Sequence, residues 1–210
     1  MATRTRVFGV LVAMLAAACA ATTAPSQSTA SSSAVPSSSS TSPAASPSTS
    51  VSASASAQTF TSPLYGYTIT VPDGWNAVAA SAKWDGTGAP GDIAPVVDKI
   101  SGTGDKSVFA FAGPVSLDLT GYAADVIARN EKFHGDTCKS KPQATEETTI
   151  GSEPAALIAW DCGILINIAL TLHNGTGYEF VLRDPGVHQA TDPTDRATFD
   201  SILGSVSFGS

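Results

Sequence analysis

The sequence has few of the residues from which enzyme and metal sites are usually built. It contains three cysteines and three histidines in 210 residues. It has no nucleophile elbow of the G-x-S-x-G type, no S-x-x-K motif, no H-E-x-x-H zinc helix and no EF-hand loop. The sequence therefore predicts no catalytic residue, no metal ligand and no cofactor. A hydrolase whose site assembles from distant residues stays an alternative, with His134, His173 and His188 as its candidate bases.

Basic residues are also scarce. The chain has 11 Lys and Arg against 18 Asp and Glu, which gives a net charge of −7, and Arg4 and Arg6 both precede the first acid, Asp73. An acidic protein is repelled by the phosphates of nucleic acids and by anionic lipid headgroups. We therefore expect no nucleic-acid partner and no adsorption to membranes through charge.

The N-terminal apolar run is too short to cross a bilayer, because a spanning helix needs about 20 apolar residues. It covers residues 7–18, follows Arg4 and Arg6, and ends in small residues directly before Cys19. A basic start, a short apolar stretch and small residues at its end are typical of a secretory signal. The chain is therefore predicted to be exported.

The end of this signal, Leu15-Ala16-Ala17-Ala18-Cys19, resembles the lipobox of bacterial lipoproteins, with Leu15 one position earlier than in the usual pattern. The resemblance implies that residues 1–18 are removed and that Cys19 carries two fatty acyl chains, which suffice for stable anchoring. The protein is then extracytoplasmic and anchored to the cell membrane by lipid. The alternative is cleavage by an ordinary signal peptidase, with Cys19 left free or lost.

A low-complexity segment follows. Residues 19–58 consist mainly of Ser, Ala, Thr and Pro, without any charged or large aromatic residue. Such a composition cannot bury enough apolar surface to offset its conformational entropy, so we predict a disordered tether. A flexible chain of this length spans roughly 35 Å. The remaining residues, 59–210, have the usual size of one globular domain.

The two further cysteines, Cys138 and Cys162, form an even pair in a chain predicted to be exported. In an oxidising compartment such a pair predicts a disulfide. The alternative is a metal or redox site, since His134 and Cys138 are spaced as on one face of a helix. Gly135 interrupts that segment, however, and there is no second close pair of His or Cys residues.

The pattern of the domain predicts an α+β fold, an antiparallel sheet flanked by about two helices. Asn174-Gly175 predicts a tight hairpin, and the apolar residues 164–172 predict a central strand that is covered on both faces. The predicted strands are residues 67–71, a short strand from Trp75, residues 96–100, 108–112, 155–161, 164–173, 178–183 and 206–208.

Two helices are predicted from their caps and their periodicity. The first begins after Asp118 and ends at Gly135, with Arg129 on its polar face. The second begins at Pro193 after the cap Asp192, carries an acid at 195 in its first turn, and ends at Gly204. The side chains predicted to face the core are Leu119, Tyr122, Ala123, Val126, Ile127 and Phe133 in the first helix, and Ala197, Phe199, Ile202 and Leu203 in the second.

Both ends of the domain resemble PsbP-like domains. Residues 60–75 read FTSPLYGYTITVPDGW, similar to the opening strand, turn and Trp of that family, and residues 199–208 read FDSILGSVSF, similar to its final helix and strand. The middle of the domain does not match. The resemblance implies an α/β/α sandwich around an antiparallel sheet and a role as a binding or assembly accessory, without a shared chemistry.

The loop after the second strand is the candidate partner-binding segment, with Trp84, Asp85 and Asp92 as its candidate residues. A buried Trp84 is the alternative, and calcium binding by Asp85, Asp92 and Asp98 is another, although their spacing is loose. Residues 86–91 match G-x-G-x-x-G, but no helix pattern follows as a dinucleotide site requires, so we interpret them as a loop.

Three functions remain open at this stage. The leading hypothesis is a non-catalytic, anchored domain that binds an envelope protein or a wall polymer. The second is a carrier of a small apolar or lipidic ligand, held beneath the helices on the apolar sheet. The third is the hydrolase named above.

Overall fold

A computed structural model describes residues 58–85, 95–134, 137–139 and 141–209, which all lie in the compact unit Val51–Ser210. The predicted signal peptide, Cys19 and all but the last residue of the tether lie outside the described residues, as do Asp92, Gly135 and the loop 86–91. Neither helix in the described part of the chain is long and apolar enough to cross a membrane.

Ten strands and two helices make up the described residues. In chain order they are β1 (Gln58–Thr61), β2 (Tyr67–Val71), β3 (Asn76–Val78), β4 (Asp98–Ser101), β5 (Ser107–Pro114), α1 (Leu119–His134), β6 (Ala144–Ile150), β7 (Glu153–Asp161), β8 (Leu165–His173), β9 (Thr176–Asp184), α2 (Pro193–Gly204) and β10 (Ser207–Phe208). Most predicted strands are confirmed within two residues, whereas β1 and β6 were not predicted.

The strands form two antiparallel sheets. The larger sheet has the order β3-β4-β5-β9-β8-β7-β6, and the smaller one has the order β1-β2-β10. Strands β3 and β6 are therefore the edges of the large sheet, and β8 and β9 lie inside it. The predicted antiparallel α+β fold is confirmed.

The large sheet is covered on both faces, as predicted for residues 164–172. Successive side chains of a strand point to opposite faces. In β8, Ile168 and Leu170 pack with Tyr122 and Val126 of α1. The alternate side chains of the strand join the core that contains the apolar residues of α2 and of the small sheet. Interior strands that are buried on both faces explain the nearly continuous apolar sequence.

The predicted hairpin joins β8 to β9. Asn174 and Gly175 both have positive φ, at 49° and 76°, and His173 pairs with Thr176 across the turn. Two consecutive positive φ angles are the geometry of a type I′ turn, which the Asn-Gly pair favours. This turn fixes the register of the two central strands.

The N-terminal caps of both helices were predicted correctly. The Asp118 carboxylate accepts a hydrogen bond from the Gly121 N–H at 2.7 Å. The Asp192 carboxylate accepts hydrogen bonds from the Thr194 and Asp195 N–H groups, with Pro193 as the next residue. These bonds satisfy N–H groups that have no partner inside a helix.

The predicted orientation of three helix side chains was wrong: two were expected to face the core and one was expected to face solvent. Ala197 is exposed, and Asp195 is buried in its place, because a period of 3.6 residues puts positions 195, 199 and 202 on one face. Asp195 pairs with Lys106, which also lies 3.3 Å from Asp184. Phe133 is 52% exposed, because the buried stripe of α1 follows positions 122, 126 and 130, and position 133 lies beside that stripe. The third position, Arg129, is part of the site.

The turn between β6 and β7 lies against the segment before β10, and substitution of its glycine tests how close this contact is. Gly151 has a φ of 59°, and a Cβ atom there would lie 2.3 Å from the Val206 carbonyl oxygen, whereas a Cβ atom at Gly175 would meet no atom within 4 Å. We expect Gly175→Ala to lower the free energy of unfolding by about 1–2 kcal/mol from the left-handed conformation alone. Gly151→Ala is expected to cost a further 1–3 kcal/mol, approximately, from the clash.

Urea unfolding of the full chain measures both losses. Gly175→Ala is the matched control, since it shares the positive φ but not the close approach. Equal losses in the two variants would show that the tight contact between Gly151 and Val206 is absent in solution.

Candidate functional site

A cleft of about 330 Å³ lies on one face of the large sheet, beside the last turns of α1. Its floor is built from alternate residues of β5, β8 and β9. Phe109, Val181 and Ile168 are Cα partners in one row across the three strands. The apolar side chains that line the cleft are Phe109, Phe111, Ile164, Ile166, Ile168 and Val181.

The polar groups around the cleft are few. They come from the end of α1, from the segment after it, and from β9, whose Glu179, Val181 and Arg183 follow one another along the floor. The polar lining residues are Asn130, His134, Thr137, Glu179 and Arg183. A mainly apolar concavity with a small number of polar groups is typical of small-molecule sites.

One end of the cleft is formed by a disulfide. Cys138 and Cys162 are bonded to each other, as the sequence predicted, and both line the cleft. The bond joins the segment after α1 to the end of β7. The alternative in which His134 and Cys138 bind a metal is not what the structure shows, since Cys138 is committed to the disulfide. Among the described residues, no group of three or more His, Cys, Asp or Glu side chains could hold a metal ion.

A buried acid, Glu179, lies at the other end of the floor. It is 2% exposed, and its Oε1 atom accepts hydrogen bonds from Tyr122 Oη at 2.9 Å and from Arg129 Nη2 at 2.6 Å. Arg129 Nε also donates to Asp125 Oδ2 at 2.9 Å. Tyr122, Asp125 and Arg129 lie at helical spacing on α1, so one helix supplies every partner of this acid that the structure describes.

The sequence prediction for Arg129 was therefore wrong. Its side chain is only 13% exposed and faces the sheet, because a buried carboxylate requires a partner of opposite charge. Glu179 itself was not singled out from the sequence. The signal was there, since an acid in the centre of the strand Thr176–Asp184, between aromatic and aliphatic residues, must be buried and must find donors.

Burial changes the titration of this cluster. It raises the pKa of Glu179 above its usual range, while the charge of Arg129 and the hydrogen bonds from Arg129 and Tyr122 act in the opposite direction. Burial and the neighbouring Glu179 charge also raise the pKa of Tyr122, so its hydroxyl remains a donor at neutral pH.

The candidate partner loop is only partly described. Trp84 is half-buried, with its ring edge against Phe111 at 5.0 Å between centroids and the Arg129 guanidinium over its face at 5.4 Å. Asp85 is exposed, and Asp92 lies outside the described residues. Contact of this loop with a partner stays a prediction.

The calcium alternative is not supported at Asp98. This residue is fully buried in β4, where its carboxylate accepts hydrogen bonds from Tyr67 Oη at 2.8 Å and from the Ala80 N–H at 2.7 Å. Its oxygen atoms are used inside the core and do not face a loop that could surround an ion.

The three histidines lie in three different places. His134 lines the cleft, His173 Nδ1 is 2.9 Å from Glu153 Oε1, and His188 Nδ1 is 2.7 Å from the Gly163 carbonyl oxygen. The ring nitrogens of His173 and His188 therefore face a carboxylate and a backbone carbonyl, not a serine hydroxyl.

Comparison with solved structures tests the architecture. The solution structure of cyanobacterial PsbP (CyanoP) from a Synechocystis species is similar with a TM-score of 0.51 and 16% sequence identity, over 74% of this chain and 94% of that chain. The chain has a PsbP-like fold. A crystal structure of a protein from Bacteroides thetaiotaomicron has a TM-score of 0.40 and 14% identity, over 73% of this chain and 49% of that chain.

Sequence comparisons add no relative. No family model matches the chain, and no curated protein matches it significantly. The PsbP-like fold therefore describes the architecture alone, and the function must be argued from the residues of the cleft.

Proposed function

We propose that this chain is an extracytoplasmic lipoprotein, held at the cell membrane by lipid on Cys19, whose PsbP-like domain is a non-catalytic carrier of a small, mainly apolar molecule. The apolar cleft over β5, β8 and β9 carries the proposal for the domain. The basic, apolar and small residues before Cys19 support export and anchoring. The low-complexity residues 19–58 would act as the spacer between lipid and domain.

The size and the lining of the cleft favour a small ligand. A volume of about 330 Å³ lies at the lower end of the range of small-molecule sites. Six apolar side chains form most of its surface, and the disulfide fixes one end. Burial of apolar ligand surface supplies roughly 25 cal/mol per Å², so a ligand of modest size gains affinity here without any reaction.

Binding of an envelope protein or a wall polymer has less support from the surface. The exposed large apolar side chains of the described residues are Val78, Leu117 and Phe133, which belong to three separate places: β3, the loop before α1 and the end of α1. Single exposed apolar residues are normal on soluble domains and do not by themselves indicate a protein interface.

Native mass spectrometry of the full chain, released from bacterial membranes in detergent, tests the anchor and the carrier function together. We expect a covalent mass that corresponds to an N-terminus at Cys19 with acyl chains attached, together with a non-covalent adduct of a small molecule. Val181→Trp fills the cleft and should abolish the adduct while it leaves the covalent mass of the lipid unchanged.

The matched control is Cys19→Ser, which should remove the lipid mass and retain the adduct. An adduct that persists in Val181→Trp, or no adduct in the wild-type protein, would contradict the carrier function. A wild-type N-terminus other than Cys19 would contradict the anchor.

A further inference from the structure

The Glu179 carboxylate has one oxygen that the described protein groups do not use. Both of its hydrogen bonds, from Tyr122 and Arg129, go to Oε1. Among the described residues, none donates to Oε2. Glu179 is 2% exposed and lines the cleft. A carboxylate oxygen that the protein leaves unused in the lining of a cleft is available to a donor of a ligand.

We infer that the cleft takes a small primary amine with an aromatic or branched aliphatic body, whose ammonium group donates to Glu179 Oε2. The inference rests on the proposed carrier function of the cleft and names the class of its ligand. The apolar body would lie over Val181, between Phe109 of β5 and Ile168 of β8.

The charges of the cluster favour a cation over an anion. Glu179 and Asp125 are two carboxylates that share the single guanidinium of Arg129. A charged group brought to Oε2 is therefore favoured if it is positive. Arg183, four residues further along β9 on the same floor, would attract an anion there instead. An ammonium group offers three donors, and a hydrogen bond between two charged groups is stronger than one between neutral groups.

The apolar floor next to Glu179 suits a body of limited length. Glu179 and Val181 lie two residues apart on β9, which is about 7 Å along a strand. Phe111 is the Cα partner of Glu179, and Phe109 is the Cα partner of Val181. A ring joined to the amine by two carbons would cover this distance with the ring against apolar side chains. An aromatic wall beside the ammonium group also attracts a cation.

Three probes with one phenyl body and different head groups test the inference. They are 2-phenylethylamine, 2-phenylethanol and 3-phenylpropionate, titrated into the full chain carrying Cys19→Ser and followed by two-dimensional NMR. We expect the amine to bind more tightly than the carboxylate by about tenfold or more, the ratio for a hydrogen bond to a charged group. The largest shifts should come from Phe111, Glu179 and Val181.

The variant Glu179→Gln should remove most of the amine preference while it leaves weak binding of the phenyl body. Glu147→Gln is the matched control, because it removes one carboxylate from the exposed strand β6 and should leave the preference unchanged. If Glu179→Gln fails to fold, the order of the affinities of the three probes still tests the inference. These affinities are measured from the shifts of the cleft residues in the protein with an unchanged cleft.

Equal affinities, or tightest binding of 3-phenylpropionate near Arg183, would overturn the inference and leave the carrier function intact. An absence of shifts at the cleft with all three probes would also overturn it. The carrier function would in that case still be judged by the adduct in native mass spectrometry, so the two failures are distinguishable.

Discussion

The Arg129→Met variant is expected to lose about 3–5 kcal/mol of stability at neutral pH, because it leaves a buried carboxylate without its cation. The loss should be smaller in acid. Glu179 is 2% exposed, and the Arg129 side chain is 13% exposed. Both side chains are therefore largely shielded from water in the folded state.

The direction of the pH effect follows from the pKa of Glu179. Burial raises it in the folded protein above the value of the unfolded chain, so unfolding releases a proton and stability falls as pH rises between the two values. Arg129 lowers this pKa, and its removal therefore raises the folded pKa further and extends the fall to higher pH. At a pH below both pKa values Glu179 is neutral in the folded and in the unfolded protein. The variant then loses only the stability that the packing of the Arg129 side chain contributes.

Denaturation with urea or guanidinium chloride at about pH 4 and about pH 8 gives the free energy of unfolding of wild type and variant. Because other titrating groups contribute equally to both proteins, the difference between them at each pH reports the Arg129–Glu179 pair. The double variant Arg129→Met/Glu179→Gln should recover most of the loss and show little pH dependence. The control Arg196→Met breaks exposed ion pairs with Glu146 and Asp200 and should cost less than about 1 kcal/mol. A loss for Arg129→Met that is the same at both pH values would contradict a buried, ionisable Glu179.

Removal of the disulfide is the second large effect that we expect. Cys138 and Cys162 are 24 residues apart in sequence, and closing a loop of that length lowers the entropy of the unfolded chain by an amount worth about 3 kcal/mol. The double variant Cys138→Ala/Cys162→Ala should show this loss in equilibrium denaturation. Wild-type protein unfolded in the presence of a reductant should give the same value.

The double variant should also bind the cleft probes more weakly, since both cysteines line the cleft. A loss of stability below about 1 kcal/mol would mean that the unfolded chain retains structure in this loop. A large loss of stability with unchanged probe binding would show that the bond stabilises the domain without shaping the cleft.

The sequence predicted those elements whose pattern is decided locally. The strands β5, β8 and β9 are rich in β-branched and aromatic residues, and the two helices have clear caps at Asp118 and Asp192. Strand β6 was missed because its sequence, Ala144–Ile150, is polar and mostly exposed. An edge strand that buries little lacks the apolar alternation from which a strand is predicted.

The candidate site was predicted less completely, for a different reason. The disulfide followed from an even pair of cysteines in a chain that the sequence predicts to be exported. The cleft depends on the register of three strands, which brings Phe109, Val181 and Ile168 into one row although they come from distant parts of the sequence. Arg129 was placed on the wrong face because periodicity assigns charged residues to solvent, and the requirement of Glu179 for a partner overrides that assignment.

The two edges of the large sheet have a consequence for how neighbouring molecules meet. Strand β3 has three residues, Asn76–Val78, and strand β6 carries adjacent exposed acids, Glu146 and Glu147. A short edge and a charged edge both discourage the joining of sheets between copies. Two copies that approach through β6 bring like charges together, which disfavours extension of the sheet through this edge.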